Sequence, residues 1–247
     1  YPSNNWRELL MNDFVPQNRY NLNISGGSNR IQYFVNVGYL DQAGQWKVDQ
    51  KDYDPSSYLK RYNFRSNIDA ALNRAQTLKT FLNVAGYLEK VNSPFQNTIF
   101  RYINNQFPSI LPGPLTPDGE VIIGSGLYNT SPYAMINRSG YTQGTNNNIL
   151  ASWGMQQDLD VLTEGLSAKF MMSFDTRTVY QLNASRNYET WTQIMDPNLQ
   201  THDGRDSVYY TKVAGENTPL SMASGATFES FSNFQFLLNY NRSFGDH

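Results

Sequence analysis

The chain has 247 residues, 39% of them hydrophobic and only 16% charged, with a formal net charge of -2 and no cysteine. Such a balance supplies no basic field for a nucleic-acid backbone, and the missing cysteines exclude disulfide frameworks, thiolate metal sites and cysteine nucleophiles. Aromatic residues make up 14%, including 17 tyrosines, and with abundant Asn, Ser, Thr and Gln they favour strands joined by polar turns.

The opening residues, Tyr1 to Trp6, have no basic start with an apolar core behind it, so no signal peptide is expected in this chain. A run of about 18 apolar residues occurs nowhere, which argues against a transmembrane helix but not against a membrane barrel, whose strands alternate. Tyr20, Leu22 and Ile24 alternate with Asn21, Asn23 and Ser25. Beyond Gly26 to Asn29, Ile31, Tyr33, Val35, Val37 and Tyr39 share a face against Gln32, Asn36 and Gly38, with Phe34 as the exception. This predicts a tight hairpin.

A third strand sets Tyr62, Phe64, Ile68, Ala70 and Leu72 against Arg61, Asn63, Arg65, Asn67, Asp69 and Asn73, so its polar face must meet water. Past a short link at Asn73 to Thr77, Leu78, Thr80, Leu82, Val84 and Leu88 make a fourth strand. Ile149, Ala151, Trp153, Met155 and Leu159 oppose Ser152, Gln156, Asp158 and Asp160; after a turn at Leu162 to Gly165 come Leu166, Ala168, Phe170, Met172 and Phe174. The last strand carries Phe234, Phe236, Leu238 and Tyr240 on one face, and Phe244 to His247 could form a further short turn.

Short and long connections alternate, and most segments reach about 9–11 residues, enough for a tilted strand to cross a hydrocarbon layer. The fold class expected is all-β, part of a large antiparallel transmembrane barrel with long extracellular loops. A soluble β-sandwich gives the same alternation when one face is packed and the other wet. Two features favour the barrel: aromatics lie at the ends of apolar faces, as in Tyr33/Tyr39 and Tyr62/Phe64, and the polar faces carry Arg and Asp.

Four stretches then resemble the SusC/RagA family of TonB-linked outer-membrane transporters. They are Tyr20 to Gly44, reading YNLNISGGSNRIQYFVNVGYLDQAG; Lys60 to Asn67, KRYNFRSN; Glu164 to Phe170, EGLSAKF; and Asn239 to His247, NYNRSFGDH. The resemblance implies a barrel of about 22 strands with a plug in its lumen. With about seven strands, residues 1–247 would then be an internal segment of the barrel domain, without the plug, the TonB-contacting segment or the remaining strands. It also implies import of an oligomeric nutrient, a glycan or an oligopeptide, with a SusD-like lipoprotein as lid and the TonB complex as energy source. The residue-level alternative is a soluble carbohydrate-binding sandwich.

Catalysis finds little support, so no enzyme and no cofactor are expected. His202 and His247 lie far apart with no triad or metal-ligand spacing around them. Asp158 and Asp160 would stand roughly 6.5–7 Å apart on a strand face, which fits a solvated wall better than a glycosidase pair. Thr116 to Gly119 and His202 to Arg205 read as loop corners, and a calcium site at Asp203/Asp206 lacks a known ligand spacing. The long segments from about Glu89 to Asn148 and Arg177 to Thr227 are expected to carry recognition, with Tyr128, Tyr133, Trp191, Tyr209 and Tyr210 as substrate-binding rings for sugar faces or peptide side chains. Packing of the loops against one another is the structural alternative for each ring.

Overall fold

The computed structural model describes residues 3–50, 52–106, 109–124, 129–200 and 206–243. Its main body is one antiparallel sheet of seven strands: β1 (Gln17–Gly27), β2 (Ile31–Ala43), β3 (Tyr58–Ala71), β4 (Leu78–Pro94), β6 (Gly140–Asp158), β7 (Leu166–Ser185) and β10 (Ser221–Tyr240), paired in that order. A smaller sheet joins β5 (Val121–Ile122), β8 (Thr190–Gln200) and β9 (Asp206–Ala214). Three short helices, α1 (Trp6–Leu10), α2 (Ile99–Arg101) and α3 (Pro132–Asn137), and a π-turn at Tyr102–Gln106 complete the described elements. Among the described residues no second sheet covers the seven strands, unlike the arrangement of a sandwich.

The short connections lie at one end of the sheet. Between β1 and β2 the Ser28 amide donates to the Ile31 carbonyl at 2.6 Å. Between β3 and β4, Asn73 ties the turn by donating to Thr77 Oγ1 at 2.7 Å, and Gln76 takes a positive φ of 56°. Between β6 and β7, Asp160 Oδ1 accepts from the Gly165 amide at 2.8 Å, with Gly165 at φ 81°. Gly86 meets a different need, close approach: a Cβ there would lie 2.9 Å from the Phe64 ring and 2.4 Å from the Asn148 carbonyl.

Several boundaries differ from expectation. The strands run well past the apolar alternation: β4 continues to Pro94, β6 starts at Gly140, β7 continues to Ser185 and β10 starts at Ser221. The long loops are correspondingly shorter than the 89–148 and 177–227 segments. Backbone ladders need no apolar face, so a strand wet on both sides carries no period-two signal. Asp158 and Asp160 do not share a strand face, because β6 ends at Asp158 and Asp160 belongs to the turn. The turn expected at 244–247 and the Asp203 and His202 features lie outside the described residues.

The two faces of the sheet differ sharply. One presents Leu22, Val37, Phe64, Leu82, Trp153, Met172 and Phe234; the other presents Arg19, Arg61, Arg65, Asp69, Glu89, Lys169, Asp175 and Arg177. The apolar belt runs obliquely. On β1, β2 and β3 it begins, at the loop end, with Tyr20, Tyr39 and Tyr62 in one register row, which continues through Leu88, Asn147 and Thr178 to Phe228. On β6 it begins at Ile149, on β7 at Phe174 and on β10 at Phe234, past Ser230 and Ser232. The edge follows the row from β1 to Leu88 on β4 and then drops two residues on each of the next three strands, six in all by Phe234 on β10. At about 3.3 Å per residue and about 4.8 Å per strand spacing, the belt slopes by about 35° to the rows when averaged over the six pairings from β1 to β10. Strands of transmembrane barrels tilt by about 35–45°, which is what a level belt on tilted strands produces.

The buried core sits in the loops at the other end, not under the sheet. Trp6 and Leu10 of α1, Trp46 after β2, Ile99 and Ile103, and Tyr133, Met135 and Ile136 of α3 form one cluster. Val121, Ile123 and Ala134 form a second. Asn5 starts α1 by accepting from the Glu8 amide, and Ser131 starts α3 in the same way, with Pro132 at the first turn. At about 1.5–3 kcal/mol for each large apolar side chain buried, these clusters hold the loops as a platform.

Candidate functional site

On the polar face the side chains form a hydrogen-bonded wall. Arg61 is 3.8 Å from the Glu89 carboxylate and lies over the Tyr87 ring at 4.2 Å, and Asn146 donates to Glu89 at 3.1 Å. Asn148 donates to Asp175 at 2.9 Å, and Asn36 to Asn23 at 2.6 Å. Nearer the short turns, Lys79 pairs with Asp158 at 3.3 Å and Lys169 lies over the Phe81 ring. A concavity of about 590 Å³ opens on this face between Arg65, Asn67, Asn83, Ser152, Asp175 and Asn233. Groups that offer both donors and acceptors can hydrogen-bond hydroxyls and amides alike.

The loop platform closes over the outer ends of the strands. Tyr133 is 6% exposed; its hydroxyl donates to Asp49 and receives Arg138 Nη2 at 2.9 Å, while the Arg138 guanidinium lies 5.2 Å from its ring centroid. Burial, reinforced by the hydrogen bond to Asp49, raises its pKa above the ordinary phenol value. Asn137 takes the Asp49 amide at 3.0 Å, and its carbonyl accepts from Gln50 and from the Tyr53 hydroxyl. The Tyr53 ring stacks on Tyr141 with centroids 6.0 Å apart. Tyr133 is therefore a packing residue whose ring faces are closed to a ligand.

The other expected rings stand on the small sheet. Trp191 on β8 pairs in register with Ile122 on β5 and Lys212 on β9, and its indole Nε1 is buried without an acceptor among the described residues. Tyr209 is 50% exposed opposite Ile194, and Tyr210 stands opposite Gln193. Neighbours on a strand point to opposite faces. Trp191 and Tyr210 thus share one face of the ribbon and Tyr209 occupies the other, so the structure brings two of these rings together and separates the third. Tyr128 lies outside the described residues. Sequence reasoning missed Tyr53, Tyr58 and Tyr141 at the loop end; their signal was only a local density of tyrosine flanking the ends of strands.

A sheet that is apolar outside, polar inside and crossed by an oblique belt is part of the wall of a transmembrane β-barrel. No family model matches the chain. It is 23% identical over 246 aligned positions to a TonB-dependent receptor of Formosa agariphila, covering 94% of this chain and 23% of that protein. Among solved structures it is similar to the RagAB peptide transporter (TM-score 0.50, 15% identity, 95% of this chain and 31% of that one). It is also similar to the RagAB peptide importer in its closed-closed and open-open states (TM-score 0.53, 15% identity, 96% of this chain and 32% of that one in both). These likenesses show the barrel-wall fold, and with the motifs from Tyr20 to Gly44 and Lys60 to Asn67 they support the resemblance to SusC/RagA-like TonB-dependent transporters. It spans under a third of the length of the relatives it matches. They are a receptor and a peptide transporter.

Proposed function

We propose that this chain forms part of the barrel wall and outer rim of an outer-membrane transporter that imports an oligomeric nutrient, a glycan or an oligopeptide, in Gram-negative bacteria. The observation that carries the reading is the belt sloping on average about 35° across strands whose other face is charged and hydrogen-bonded, since tilted strands between lipid and a wet lumen call for both. In this reading the loop platform faces outward and the short turns face the periplasm. A SusD-like lipoprotein closes the platform from above, and the TonB complex acts through segments beyond this wall. The amide- and hydroxyl-rich lumen supports a polar oligomer as cargo.

Deletion of the full-length gene tests it. Uptake of a labelled oligosaccharide or oligopeptide across the outer membrane is expected to stop, and extraction of the protein from envelopes is expected to need detergent. Undiminished uptake of every oligomer on which the strain grows would overturn the transport reading, and release by salt alone would overturn the barrel.

A further inference from the structure

On the apolar face of the seven strands the charged residues are Asp41, Lys60 and Lys90, and all three fall in one register row. Every other charged residue of these strands faces the lumen. The row lies two residues beyond Tyr39, Tyr62 and Leu88, which close the belt at the loop end. On strands tilted by about 35° two residues rise about 5 Å and neighbours in one row differ in depth by about 3 Å, so Lys60 and Lys90 lie within the headgroup layer above the hydrocarbon.

Lys60 and Lys90 stand directly opposite each other, and like charges so placed repel. Lys60 Nζ turns away from the belt and lies 5.4 Å from the centroid of the Tyr58 ring, the next residue outward on the same face. Asp41, across from Lys60, forms no ion pair with it, and Lys90 is exposed with none among the described residues. Above the pair, a concavity of about 340 Å³ opens between Tyr58, Asn92, Tyr141 and Gln143; Asp54 and Asp52 also line it, the latter 3.9 Å from Arg186, so the place for an anion is at the lysines below and not in this concavity.

We propose that Lys60 and Lys90 clamp the phosphate of an outer-leaflet lipid headgroup. Two opposed ammonium groups share a compact oxyanion readily, because it supplies several acceptors and removes their mutual repulsion. Only a membrane-resident anion stands permanently at this depth, and the aromatic row beneath would hold its acyl chains against the wall. This inference rests on the outer-membrane barrel proposed above.

The test is native mass spectrometry of the full-length protein in neutral detergent with added bisphosphorylated lipid A, its dephosphorylated form serving as control. Retention of lipid A is expected to fall about fivefold in K60Q or K90Q and about thirtyfold in the double variant. It should survive in K60R/K90R, and D41N should raise it or leave it unchanged. Equal retention by wild type and the double Gln variant, or equal retention of both lipid forms, would overturn the clamp while leaving the barrel intact. Release of the wild type from envelopes without detergent would overturn the barrel itself, and the clamp with it.

Discussion

Arginine in place of Leu82 separates a lipid-facing sheet from a water-facing one. Leu82 is 39% exposed and pairs with Ile68 and Trp153, halfway along the belt on β4. Were that face in water, an exposed Leu→Arg change would alter stability by no more than about 0.5 kcal/mol. At the bilayer midplane arginine costs about 2–4 kcal/mol, falling to about 0–1 kcal/mol near the interface. Leu82→Arg is therefore expected to cost about 3 kcal/mol, over a hundredfold in the folding equilibrium, and Leu88→Arg, at the edge of the belt, under about 1 kcal/mol. Asn83→Arg, one residue away on the lumen face, is expected to cost little. The assay is urea unfolding of the full-length protein in lipid vesicles, followed by the compact band on unheated gels. Equal costs at Leu82 and Leu88, or a cost at Leu82 within 0.5 kcal/mol of zero, would refute the placement of the belt.

Tyr133→Phe removes the hydroxyl that joins Asp49 to Arg138; a loss of about 1–3 kcal/mol should appear as faster hydrogen exchange in α3 with the sheet unchanged. Because the folded pKa of Tyr133 is raised, its contribution is complete below the unfolded value of about 10 and is lost as pH climbs toward the higher folded value. Difference absorbance against Tyr133→Phe should accordingly show no phenolate from this residue one pH unit above the ordinary value. Trp191→Phe deletes a buried donor without an acceptor and is expected to leave stability equal or slightly higher, whereas loss of uptake in Trp191→Ala and Tyr210→Ala, with barrel assembly intact, would mark their shared face as a contact for cargo. Gly86→Ala drives a methyl into the Phe64 ring and the Asn148 carbonyl and should cost about 1–3 kcal/mol in the same vesicle assay.

Where one face of a strand met lipid and the other met water, the sequence was legible. The alternations at Ile31 to Tyr39, Tyr62 to Leu72 and Leu166 to Phe174 name the right strands and faces, because the side-chain period is set by the backbone and the solvents on the two sides differ. Above the belt both faces are wet, so the ends of β4, β6, β7 and β10 left no trace in the pattern. The recognition residues were harder to read for a related reason: a tyrosine in a loop looks the same whether its ring is offered or buried. Tyr133 is buried because Asp49, Arg138 and α3 close around it, and those partners come from separate connections.

By itself, then, the sequence determined the class of the wall, its outward and inward residues and its family resemblance, all of which follow from local periodicity and contiguous motifs. Only the tertiary structure decided the slope of the belt, the row shared by Asp41, Lys60 and Lys90, and the placing of Trp191 and Tyr210 on one face of a ribbon. Those depend on register between strands distant in the chain, and register is fixed by pairing that no single segment encodes.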